Sequence, residues 1–171
     1  YVLILGDSHA GHLRHGFASV LVNELNKEVH ILNSTGCKPL INHYMVYDLS
    51  RRSELPVQKA CRDQVIAWEQ FLTDNRAKYD FVILSARWNE MVNNAQYGKM
   101  KITERSLLNR NDELNDVRQF SLINRIEKLT LGFSDTEKFF AELNLKGYLL
   151  TQPPVQMKDL RLGPSSNFSD L

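Results

Sequence analysis

Histidine is missing from most of this sequence. All five, His9, His12, His15, His30 and His43, fall in the first quarter of the 171 residues. Within these residues a histidine base can be sought only there. Cysteine is scarce too: Cys37 and Cys61, 24 residues apart, fit neither a zinc site nor a Cys-x-x-Cys redox pair. From the residues alone they are either two buried thiols or one disulfide. No apolar run approaches the roughly 18 to 20 residues that cross a bilayer. Charge of one sign is not in excess, with 21 basic and 20 acidic residues interspersed. That excludes a broad electrostatic case for nucleic acid. Neither a signal-peptide pattern nor a methionine opens the chain. It begins inside the strand-like run Tyr1-Val2-Leu3-Ile4-Leu5 and reads as a fragment of a longer protein, whose other parts could carry membrane segments.

What is present is the material of one soluble domain, since 43% hydrophobic and 24% charged residues exclude a disordered chain. Residues 1 to 5 read as a buried strand ending at Gly6. The apolar stripe Leu13, Phe17, Val20, Leu21 and Leu25 predicts one helix from about Ala10 to Asn26. Val29 to Leu32 is a second short strand, and Asn33 to Pro39 a loop. Residues 40 to 56 show no period and are expected to be irregular. Cys61, Val65, Trp68 and Leu72 mark one face of a helix over 57–78, and Phe81 to Leu84 form a third strand. The polar tract 91–116 reads as a loop with a little helix. A helix is expected over 117–143, with a possible break at Gly132-Phe133-Ser134, then a strand from Tyr148 to Thr151. The tail from Gln156 shows little pattern.

Short apolar strands alternating with amphipathic helices predict an α/β fold, a three-layer sandwich whose mostly parallel sheet is covered by helices on both faces. Function in such folds gathers at the carboxyl ends of the strands. Three loops leave such ends: 6–10, 33–39 and 85–89.

The strongest chemical signal is Gly6-Asp7-Ser8-His9. A tight strand-to-helix turn puts Ser8 near a helix start, where backbone N–H groups and the dipole favour a developing oxyanion. Gly6 permits the sharp turn. The competing explanation is that Asp7 or Ser8 simply caps the helix. His9 and His12 lie close by. Helix side chains lean toward the N-terminus, so His12 is expected to line the site rather than act as the base. His15, His30 and His43 read as surface or structural histidines, and the asparagines of the 89–115 tract as loop residues.

The run Val2-Leu3-Ile4-Leu5-Gly6-Asp7-Ser8-His9-Ala10-Gly11-His12-Leu13 resembles the first block of the SGNH hydrolase superfamily. It is especially similar to the SGNH domains fused to type-three membrane acyltransferases, which O-acetylate bacterial surface polysaccharides. Gly36 sits at the glycine of the second block, Ser85-Ala86-Arg87-Trp88 at the third, and Thr151-Gln152-Pro153-Pro154 at the turn after the fourth strand. The resemblance covers about residues 1 to 155. It implies a flavodoxin-like sandwich, Ser8 as nucleophile with Asp7 and His9 as its motif context, and oxyanion amides from Ser8 and Gly36. It also implies a Cys37–Cys61 disulfide and hence an oxidising compartment. No metal or organic cofactor is implied.

Two departures qualify it. The third block's usual Asn is replaced, so Arg87, or more weakly Asn89, is the candidate oxyanion or substrate donor, against a plain surface Arg and core Trp. The last block, Asp-x-x-His, which supplies the base, occurs nowhere in the chain. The expectation is thus a single domain over 1–171, a fragment without its last block. Its function would be acyl (acetyl) transfer from a donor to cell-surface polysaccharide such as lipopolysaccharide. It would work beside a membrane acyltransferase domain of the same parent chain, on the periplasmic or extracellular face and tethered to the inner membrane. A free carbohydrate acetylesterase and a non-catalytic carbohydrate-binding module are the alternatives. Nucleic acid is not expected as a partner.

Overall fold

The structure, a computed structural model, describes residues 1–47, 55–88, 91, 96–97, 100–101, 105–111 and 122–151. In chain order the elements are β1 (Val2–Gly6), α1 (Ser8–His12), α2 (Phe17–Leu25), β2 (Val29–Asn33), β3 (His43–Tyr47) and α3 (Leu55–Asn75). They continue with β4 (Phe81–Ser85), β5 (Gln96–Tyr97), β6 (Met100–Lys101), β7 (Arg105–Asn109), α4 (Leu122–Glu142) and β8 (Gly147–Leu150).

Four parallel strands form the main sheet in the order β2-β1-β4-β8. Strands whose every residue is apolar, such as Val2 to Leu5, must be covered on both faces. Leu3, Leu5, Val82 and Leu84 pack with Cys61, Val65, Trp68 and Leu72 of α3 and Leu129 and Phe140 of α4. Val2, Ile4 and Ile83 face the other way, against Ala10, Ala18 and Leu21 of α1 and α2. The expected three-layer sandwich is therefore present. From β1 the chain goes to β2 on one side, then returns to β4 on the other. That reversal falls between β1 and β4, whose carboxyl ends are the usual place for a site in such sheets.

The register sets Gly6 level with Asn33 on one side and Ser85 on the other. A Cβ on Gly6 would lie 1.7 Å from the Ser85 carbonyl oxygen, so only glycine allows the two strand ends to meet this closely.

Several local expectations are corrected. The helix expected over 10–26 is two helices, α1 and α2, separated by a turn that ends at Gly16, the N-cap of α2. Leu21 is buried, but Val20 and Leu25 are 53% and 56% exposed. They line an apolar groove of about 440 Å³ with Phe81, Tyr148 and Leu149. The 40–56 excursion contains β3, and the polar tract contains β5, β6 and β7. Strands β3 and β7 pair antiparallel, His43 opposite Asn109 and Tyr47 opposite Arg105. His43 to Val46 and Ser106 to Leu108 are all buried, so neither strand shows a polar face in its sequence. Helix α4, described from Leu122, runs unbroken through Gly132, and the expected start at 117–121 lies outside the described residues. That glycine is a contact point: a Cβ there would stand 3.0 Å from Leu40 Cδ1. The tail from Gln156 lies outside the described residues.

Candidate active site

The corner after β1 is built around Asp7. Its carboxylate caps α1, with Oδ1 accepting from the His9 amide at 2.9 Å. Oδ2 accepts from the Lys38 ammonium at 2.7 Å and from the Arg87 amide at 2.9 Å. Asp7 is 2% exposed and Lys38 is fully buried. Burial by itself would raise the carboxyl's pKa. The Lys38 charge, the amides of Arg87 and His9 and the Lys38 hydrogen bond outweigh it and hold Asp7 below its ordinary value. The three donors come from the loops after β2 and β4 and from α1, so one ionised carboxylate ties the central strand ends together.

Because Asp7 is the cap, Ser8 is the first residue of α1 and is half-buried. Among the described residues its hydroxyl engages no hydrogen-bond partner. The capping explanation of the motif thus holds for Asp7 and not for Ser8. Gly36 takes φ 77°, a left-handed conformation that favours glycine, within the turn closed by the Cys37 amide on the Ser34 carbonyl. The Ser34 amide donates to the Gly6 carbonyl at 2.9 Å, drawing this loop onto the end of β1. Cys37 is bonded to Cys61 of α3, with no free cysteine in the chain, so the implied disulfide is present.

Arg87 arrives at the same corner, half-buried, and its backbone amide anchors Asp7. Trp88 is a core residue whose Nε1 donates to the Leu150 carbonyl at 3.2 Å. Asn89 and the Gln152-Pro153-Pro154 turn lie outside the described residues.

None of the five histidines hydrogen-bonds Ser8. His9 turns its Nδ1 to 3.4 Å from Asp7 Oδ1, and its ring lies 5.7 Å from that of the exposed His12. Burial, and then the charges of Arg87, Lys38 and His12 against the pull of Asp7, lower its pKa below 6.5, favouring neutral imidazole. His30 sits between Tyr79 and Glu28, and buried His43 bonds the Ile41 carbonyl. His15 is exposed. Sequence reasoning placed Ser8, Asp7, Gly36 and Arg87 at neighbouring strand ends, as found. It missed Lys38, whose only local signal was a lysine beside Cys37 in a loop with no period.

An unengaged serine hydroxyl at a strand-to-helix corner can attack an acyl carbonyl once a base removes its proton. No curated protein and no solved structure matches the chain. A family model described as the SGNH domain fused to AT3 domains matches residues 1–169. With its parallel sandwich and Gly-Asp-Ser-His corner, the chain belongs to this family, as an SGNH hydrolase-like domain associated with acyltransferases.

Proposed function

We propose that Ser8 carries an acyl group, in the first instance acetyl, from a donor supplied through the membrane acyltransferase domain of the parent chain to a hydroxyl of a bacterial surface polysaccharide. Ser8 Oγ bonds to the acyl carbon, its proton passes to a base, and the donor's leaving group departs with its electron pair. The sugar oxygen then attacks the acyl-serine, and Ser8 leaves and regains a proton. The amides of Ser8 and Gly36 hold the oxyanion, with Arg87 as a further donor to oxyanion or substrate. The base is a histidine of an Asp-x-x-His segment in the parent protein outside these residues. The domain is a single one and works on the periplasmic or extracellular face, where the Cys37–Cys61 bond persists.

The observation that carries this reading is the division of labour at the corner: Asp7 caps α1, so the Ser8 hydroxyl is left for chemistry. The test is to treat the full-length protein with a fluorophosphonate and map the adduct. Labelling on Ser8, abolished by Ser8→Ala together with polysaccharide acylation, is expected. An adduct elsewhere removes the proposal.

A non-catalytic carbohydrate-binding role is the second reading, favoured by the absence of any histidine bonded to Ser8 among the described residues. It wins if Ser8→Ala leaves acylation intact.

A further inference from the structure

Lys38 carries a buried charge at the corner. It lies in the loop after β2, fully buried, and its ammonium meets Asp7 Oδ2 at 2.7 Å. An enclosed ion pair of this kind is weak support for stability, because desolvating both ions costs several kcal/mol and a packed apolar pair often does as well. Its value lies in geometry. The oxygen that Lys38 holds is also the acceptor for the Arg87 amide, and the other oxygen of the same carboxylate accepts from the His9 amide. Next to it, the Cys37–Cys61 bond fastens the Lys38 backbone to α3.

We propose that Lys38 is a positioning residue for the Ser8 chemistry: its ammonium locks the Asp7 carboxylate across the ends of β1, β2 and β4, so that Asp7 keeps the cap and Ser8 stays available for attack. The inference rests on the reading of Ser8 as the nucleophile. Among the described residues, Lys38, His9, His12 and Arg87 are the charged or titratable groups that act on this corner. Without the ammonium, the buried carboxylate would take up a proton more readily and, once protonated, accept the two amides less well. The Ser8 hydroxyl would then compete for the cap, since serine and aspartate are near equals there.

The test uses the full-length protein in its membrane, a fluorophosphonate probe, and the variants Lys38→Met, Asp7→Asn and the double variant. For folded Lys38→Met at pH 7 the saturated labelling rate of Ser8 is expected to fall at least tenfold, with the half-saturating probe concentration changed less than twofold. Its rate–pH curve should gain a limb, absent from the wild type, that rises as Asp7 ionises. A merely structural role would not add that limb. The double variant, with neither member of the pair left, should label no slower than the slower single variant. Labelling of folded Lys38→Met within twofold of wild type would overturn the inference and leave the Ser8 reading standing. So would losses that multiply in the double variant. If Lys38→Met does not fold, the double variant decides: labelling within twofold of wild type overturns the inference, and a tenfold loss sustains it. A wild type that is not labelled on Ser8 overturns both.

Discussion

Gly6 and Ser85 lie side by side at the ends of β1 and β4, so close that a methyl group on Gly6 would fall 1.7 Å from the Ser85 carbonyl oxygen. That oxygen belongs to the backbone of a buried strand and cannot swing away. The Asp7 carboxylate and the Arg87 amide meet just beyond this contact.

Gly6→Ala should therefore force β1 and β4 apart and cost about 3 kcal/mol or more, through overpacking. Gly16→Ala, with nothing within 4 Å of the added carbon, is the control and should shift stability by less than about 1 kcal/mol. Urea unfolding of both variants checks this. Equal effects would show that the strand contact is not limiting.

Removing the Cys37–Cys61 bond by a double Cys→Ala change should lower stability by about 3 kcal/mol, the loop-closure value for a bond of this span. Reductant should lower the thermal midpoint of the wild type and leave the double variant unmoved. Mass analysis finding two free thiols in protein made under oxidising conditions would contradict the bond.

Thr136 connects α4 to the loop before β3. Its buried hydroxyl accepts from the Ile41 amide at 2.9 Å and donates to the Gly132 carbonyl at 2.6 Å. Thr136→Val keeps the shape and orphans the Ile41 amide, so it should cost about 1 to 3 kcal/mol. Chemical denaturation measures it. A cost near zero would mean that the amide finds another acceptor.

Acid should destabilise the domain in two stages, and the signs follow from the two shifts. His9 titrates below 6.5 when folded, so beneath that pH the unfolded chain binds more protons and stability falls. Asp7 is also lowered, so its contribution is present above about pH 4 and is lost as pH drops through its folded value. Between about pH 7.5 and 5.5 the first stage dominates, and His9→Gln should lose less stability than wild type over that interval. Identical losses in the two proteins would remove His9 as the cause.

The parts that were legible in the sequence are those whose signal is local and periodic. Cys61, Val65, Trp68 and Leu72 share one face of α3 because every third or fourth residue of a helix does, and all four are buried. Val2 to Leu5 and Val82 to Leu84 read as strands because they are covered on both sides. Strands β3 and β7 escaped because His43 to Val46 and Ser106 to Leu108 are buried on both faces, so neither shows the alternation of a half-exposed strand. Gly132 suggested a break because a glycine's cost is visible in sequence and its contact with Leu40 is not. Val20 and Leu25 fit the helical stripe, yet the turn at residues 13–16 rotates α2 so that they stay exposed.

By itself the sequence determined the alternation of strands and helices, the glycine corner at the head of the chain and the placing of Ser8 on it, because each is a matter of backbone sterics and periodicity over a few residues. It left open whether Asp7 or Ser8 would cap the helix, since both side chains suit that position. Only the tertiary structure decided it. Lys38, 31 residues away, and Arg87, 80 away, converge on one carboxylate oxygen. A hydroxyl could not have answered a buried ammonium as a carboxylate does, so the charge took Asp7 and left Ser8 unengaged.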